Sequence, residues 1–236
     1  MRKSRIGPHA RSARALPSSA RSAPPAAPRR RMPEQRPGRI LSAALETFVE
    51  NGFAATRLED VAKRAGISKG TLYLYFESKE ELFKAAVREN IVPFIDRSEH
   101  RVNTFEGTSR DLFVELLYDW WRAMNESRVT GLPKLILAEA SNFPQAARFF
   151  FDEVVARVRA LFTRVLQRGI DAGEFRPVDV EYTVRIVMTP VVMGLIWKHS
   201  MVKCRIDAID FDRQLAALVD VTMHGLLRGP EKGARA

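Results

Sequence analysis

Gly66-Ile67-Ser68-Lys69-Gly70 is the stretch whose residue types and spacing most directly suggest chemistry. It satisfies G-x-S-x-G, the pattern in which a serine on a sharp strand-to-helix turn serves as a hydrolase nucleophile. The same residues suit the turn and second helix of a helix-turn-helix, where Ser68 would cap a helix that reads DNA. Nucleophilic catalysis needs a base within reach of the serine. The histidines are His9, His100, His199 and His224, and no acid–histidine pairing follows from their spacing. No Cys/His pair has zinc spacing, and HExxH, Walker and GxGxxG patterns do not occur, so neither metal nor cofactor is expected. Cys204 is the single cysteine, which rules out an internal disulfide and suggests a reducing, cytoplasmic setting.

The elements that must position Ser68 favour the second reading. Ile40, Leu41, Ala44, Leu45, Phe48 and Val49 form an apolar stripe at spacings of three and four, ended by Asn51-Gly52. Thr56-Arg57-Leu58-Glu59 reads as a capping box opening a helix that turns Val61, Ala62 and Ala65 inward. Gly66 supplies a tight turn, and Ile67 and Leu72 are placed as a hydrophobic staple around the Ser68 cap. Ser78-Lys79-Glu80-Glu81 is a second capping box, opening a longer helix through Leu82, Phe83, Ala86 and Val87. A nucleophile elbow needs a strand before the serine; the segment here is helical, and no strand alternation bounded by hairpin turns occurs anywhere. On the helix after Gly66, Leu72 and Phe76 face the core while Gly70 and Leu74 fall on the opposite side. Lys69, Thr71, Tyr73 and Tyr75 flank that outer face. Glycine there permits close backbone approach, and the flanking groups can donate to phosphate oxygens or base edges. Lys79 at the next helix start, and Arg57 beside Thr56, extend the line of donors.

Charge alone does not argue for DNA. The net charge is +10, but residues 1–31 hold Arg2, Lys3, Arg5, Arg11, Arg14, Arg21, Arg29, Arg30 and Arg31 with no acid, leaving 29 basic and 28 acidic groups in the rest. Residues 1–33 have too little apolar surface to fold and are expected to be disordered. They suit a DNA-binding arm, an organellar transit peptide, or sequence upstream of a true start at Met32. The longest strongly apolar run, residues 186–197, is shorter than the roughly 20 residues that span a membrane, so no transmembrane segment is expected.

The stretch RILSAALETFVENGFAATRLEDVAKRAGISKGTLYLYFESKEELFKAAV, about residues 38–87, closely resembles the N-terminal domain of TetR-type transcriptional regulators. The resemblance rests on Phe48, Gly52-Phe53, Thr56, Asp60-Val61-Ala62, Ala65-Gly66-Ile67-Ser68, Gly70-Thr71-Leu72-Tyr73, Tyr75-Phe76 and Lys79. LPKLILAEASNFPQAARFFFDEV and GEFRPVDVEYTV look like a subgroup of the C-terminal part. It implies an all-α protein: a helix-turn-helix domain over 34–80 and a helical effector-binding and dimerisation domain over 81–230. It also implies a homodimer on palindromic double-stranded DNA, with a long linking helix, about 78–97, that shifts when a small molecule binds. By position, Thr56, Arg57, Ser68, Lys69, Thr71, Tyr73, Tyr75 and Lys79 carry over as DNA contacts. Tyr73 and Lys79 are placed as phosphate contacts, and Lys69 as the base reader.

In the second domain, helices are expected at 111–126, 134–140, 144–172 and 179–200, the third with a stripe of Ala147, Phe151, Val154, Val158, Leu161 and Val165 and the fourth kinked at Pro190. A last stripe follows Phe211, Leu215, Leu218, Thr222 and Leu226. The dimer is expected through the last two long helices, with Val180, Val184, Val187, Val191 and Leu195 as one face and Leu215, Leu218, Thr222 and Leu226 as the other. Effector candidates are the large apolar groups Phe113, Leu117, Trp120, Trp121, Met124, Phe143, Phe150, Met188, Met193 and Trp197, which suit a hydrophobic, aromatic or acyl ligand. The competing functions are a helical hydrolase and an interaction protein that keeps the head but reads no DNA.

Overall fold

The N-terminal apolar stripe forms α1 (Arg36–Asn51), with Ile40, Ala44, Leu45 and Phe48 fully buried; Gly52 then turns the chain at φ 83°. The computed structural model describes residues 36–126, 130–201, 204 and 209–227; the expectations for residues 1–33 lie outside them. Next come α2 (Leu58–Ala65), α3 (Lys69–Tyr73) and α4 (Lys79–Asn90). Phe48, Phe53 and Phe83 close their shared core, with ring centroids 5.2–5.7 Å apart. Since Phe83 lies on α4, the packing of the head runs past residue 80.

The capping box at Thr56 does not form. Arg57 occupies the N-cap of α2 without a side-chain bond. Thr56 is 3% exposed, and its hydroxyl donates to the Gly52 carbonyl (2.6 Å), with the Thr47 carbonyl also within reach at 3.2 Å. It pins the preceding turn to α1, leaving Glu59 for another partner. At the start of α4 half of the box forms: Ser78 Oγ accepts from the Glu81 amide at 3.1 Å, while the Glu81 carboxylate pairs with Lys84.

The single linking helix is two helices. α4 stops at Ile91, and α5 (Val92–Thr104) begins with Pro93 in its first turn. Proline there has no amide for the Glu89 carbonyl, so the ladder is interrupted where a continuous helix would need it.

The remaining elements are α6 (Ser109–Glu126), α7 (Leu132–Glu139), α8 (Pro144–Phe150), α9 (Ala156–Asp171), α10 (Val180–Lys198) and α11 (Phe211–Leu226). Between α8 and α9 the helix continues through one π-helical turn, Phe151–Val155. The extra residue of that turn re-phases the stripe. Ala146 and Phe150, rather than Ala147 and Phe151, face inward ahead of Val154, Val158, Leu161 and Val165, and Phe151 is 43% exposed. No strand occurs among the described residues; the one bridge joins Phe175 to Leu227. The described residues after Glu34 share one hydrophobic core.

Most of the two faces expected to form the dimer is spent inside the subunit, while Val180, Leu218 and Thr222 stay partly exposed. Val184, Val187, Val191, Leu195, Leu215 and Leu226 are each at most 3% exposed. α10 is apolar on nearly every side, and by length and composition alone it could cross a membrane. Here it packs against α7, α9 and α11. What it leaves open is Tyr182, Ile186 and Met193, and on α11 Val221 is exposed as well.

Candidate nucleic-acid interface and ligand groove

Ser68 holds the turn. Its hydroxyl accepts the Thr71 amide at 3.1 Å and contacts the Thr71 hydroxyl at 2.8 Å, while Gly66 takes φ 69° to cap α2. The group preceding it is a helix end, not a strand, and its oxygen is already engaged as a cap; the elbow geometry is not built. α3 then divides sharply. Leu72 is fully buried, whereas Lys69, Gly70, Tyr73, Leu74 and Tyr75 are exposed, Leu74 by 85%. A five-residue helix is too short to be stable alone, so its seat is the Leu72 anchor and the Ser68 cap.

The polar groups on that face are in different states. Lys69 forms an ion pair with Glu59 of α2 and lies 5.7 Å from the Tyr73 ring. The hydrogen bond from Lys69 holds the Glu59 carboxyl below the usual carboxylate range, and Glu59 in turn raises the Lys69 ammonium. Arg57 is exposed at the head of α2. Lys79 is turned inward. Its ammonium donates to the carbonyls of Phe53 (2.6 Å), Ala54 (3.1 Å) and Thr56 (3.3 Å), over the Phe53 ring at 4.8 Å. Three donors meet three carbonyl acceptors. Thr56 and Lys79 are thus both engaged with backbone carbonyls around the α1–α2 connection. Leu74, which its spacing puts on the outer side, lies exposed between the two exposed tyrosines.

The second site is a groove of about 890 Å³ between α7, the α8–α9 helix and α10, with Trp120 and Met124 of α6 among its lining residues. Of the ten residues expected to touch an effector, Trp120, Met124, Phe150, Met188 and Met193 line it. The other five do not. Phe113 meets Phe162 edge to face, Leu117 is fully buried, Trp121 donates to Asp212 and packs on Phe211, and Phe143 packs on Phe53. Trp197 lies beyond the groove at the end of α10. Arg148, Arg159 and Arg185, which also line it, were missed. Helical periodicity marks what is apolar and says nothing about which charged residue borders a space between helices.

The groove and the head meet along one seam. Arg88 of α4 pairs with Glu153 at 3.3 Å and lies over the Phe149 ring at 4.9 Å. Phe53 meets Phe143 at 4.5 Å, and the Ala54 amide donates to Glu139 at 3.3 Å. The α8 segment thus lines the groove through Phe150 and Val154 and touches α4 through Phe149 and Glu153.

Comparison with known proteins places these features together. Residues 40–86 match the family described as "Bacterial regulatory proteins, tetR family", and residues 106–209 match "Tetracyclin repressor-like, C-terminal domain". The HTH-type transcriptional repressor KstR2 of Mycobacterium tuberculosis is 30% identical over 167 residues, covering 69% of this chain and 80% of that protein. The uncharacterized HTH-type transcriptional regulator YfiR of Bacillus subtilis is 30% identical over 166 residues, covering 62% of this chain and 71% of YfiR. The regulator FadR of Bacillus subtilis, solved with stearoyl-CoA, shares the fold at a TM-score of 0.66 and 20% identity, covering 80% of this chain and 98% of that one. With a helix-turn-helix head and a helical second part both matched, this chain belongs to the TetR family of transcriptional regulators.

Proposed function

We propose that this chain is a non-enzymatic repressor that binds a palindromic DNA operator as a homodimer and is released when a small apolar effector enters the α7–α10 groove. The observation that carries the reading is the outer face of α3, where Lys69, Gly70, Tyr73, Leu74 and Tyr75 are exposed on a helix seated by a fully buried Leu72. We assign Arg57, Ser68, Thr71, Tyr73 and Tyr75 to the phosphates and groove edges, Lys69 to a guanine edge and Leu74 to a thymine methyl. Thr56 and Lys79 hold the turn that presents them. The head over 34–80 works with the first turns of α4, and the remainder to about 230 carries effector and partner.

A second copy suits the open strip of Tyr182, Ile186 and Met193 on α10 with Val221 on α11, apolar residues left exposed on adjacent helices. A two-fold dimer would set two α3 helices against two half-sites about 34 Å apart. The seam supports coupling: an occupant that displaces α8 alters the Arg88–Glu153 contact on α4, and so biases one arrangement of the heads over another.

Selection of bound sequences from random duplex DNA at two salt concentrations tests the reading. A recovered palindrome, bound more weakly as salt rises, is the expected result. No enrichment at either salt from a folded dimer would refute it in favour of an interaction protein.

A further inference from the structure

The proposed effector groove is apolar along most of its length, yet three arginines line it. Two have carboxylates on their own helical segments: Arg148 with Asp152 at 3.0 Å and Arg185 with Glu181 at 2.9 Å. Arg159 has none within ion-pair distance among the described residues. It is only partly exposed, and its guanidinium lies 5.6 Å from the Phe151 ring. A guanidinium drawn over an aromatic ring at the edge of an apolar space, with no protein carboxylate paired to it, is suited to hold an anionic group.

The position of Arg159 matters as much as its charge. It is the groove residue furthest along the α8–α9 helix, and Arg185 is the first on α10. Consecutive helices packed side by side and joined by residues 172–179 run antiparallel. The two arginines therefore share one end of the groove. From Arg185 to Ile196 the wall runs roughly 16 Å at 1.5 Å per residue. Val192, Ile196, Leu137 and Met124 line the remainder.

We infer that the effector, taking the groove as its site, is an anionic amphiphile: a linear acyl chain lies along α10 and its carboxylate or phosphate-bearing head is held by Arg159, with Arg185 assisting. Arg159 can grip either head in bidentate fashion.

Titration of the full chain, followed by tryptophan fluorescence with Trp120 lining the groove, tests this with palmitate, palmitoyl-CoA, free CoA and hexadecanol, each below its aggregation concentration. Palmitate, palmitoyl-CoA or both should bind on the order of tenfold tighter than hexadecanol, as a charge-assisted hydrogen bond allows. Which of the two binds identifies the source of the anion, and free CoA should bind far more weakly than either. Arg159→Gln should reduce the anionic ligands to the hexadecanol level and leave hexadecanol itself unchanged, which also reports that the groove is intact. Hexadecanol binding as tightly as the anions, or a preference that survives Arg159→Gln, would overturn the inference while leaving an apolar effector site standing. Binding of none of the chain-bearing probes would overturn both.

Discussion

Gly70→Ala separates the DNA-reading face from the fold that carries it. A Cβ built at Gly70 meets only the Ser68 hydroxyl, at 3.9 Å, so the head has room for the methyl group. Gly70 is exposed, lies within α3 and does not take a positive φ. Alanine should therefore keep stability or raise it by up to about 1 kcal/mol, the propensity difference in a helix interior. Against DNA the same methyl stands about 1.5 Å proud of the backbone, one carbon–carbon bond. Hydrogen bonds from Lys69, Thr71 and the tyrosines weaken steeply over such a displacement. Loss of one or two contacts at about 1–3 kcal/mol each corresponds to a complex weaker by roughly fivefold to ten-thousandfold. Thermal unfolding at fixed protein concentration and fluorescence anisotropy on a selected duplex read the two effects independently. An unchanged affinity would refute the placement of Gly70 against DNA, and a lowered melting temperature would refute the open space described around it.

Other substitutions probe the supports. Glu59→Gln frees Lys69 and removes an acid from the DNA side; binding should tighten by roughly two- to tenfold and depend more steeply on salt, and an unchanged or weaker complex counts against Lys69 as a reader. Lys79→Met strips three carbonyls of their donor and should cost about 1–3 kcal/mol in denaturant unfolding, whereas Tyr73→Phe should spare stability and weaken DNA alone; the reverse pattern would exchange their roles. Gly169→Ala brings a Cβ to 2.1 Å from the buried Phe175 ring, so it should destabilise by about 1–2 kcal/mol in the native chain. In a Phe175→Ala background the same change should be stabilising, and equal effects in both backgrounds would mean that the ring is not the obstacle.

The head was legible because its signals are local. Ser68, Gly66 and Gly52 act on backbone within a few residues, and Leu72 announces a buried side by its spacing. Even there, long-range competition defeated two short-range expectations. Glu59 went to Lys69 instead of its own helix start, and the ammonium of Lys79 found three carbonyls from the α1–α2 connection. In the second domain the apolar stripes were visible but their neighbours were not. α10 offers hydrophobic residues all round, so sequence cannot say which side meets α9 and which stays open. The groove is a gap between three segments distant in the chain, and its arginines carry no periodic mark.

The π-turn at Phe151–Val155 makes this part of the molecule tolerant of one particular change in length. A π-turn holds one residue more than the α-helical turn it replaces. Removing one residue here would convert the turn to ordinary α-helix and leave the flanking turns close to their present phase. Phe149 would keep Arg88, Phe143 would keep Phe53, and Phe150 would stay on the groove. A deletion elsewhere between α8 and Val158 would instead rotate everything upstream by about 100°, one residue's share of a 3.6-residue turn, and reset both surfaces at once.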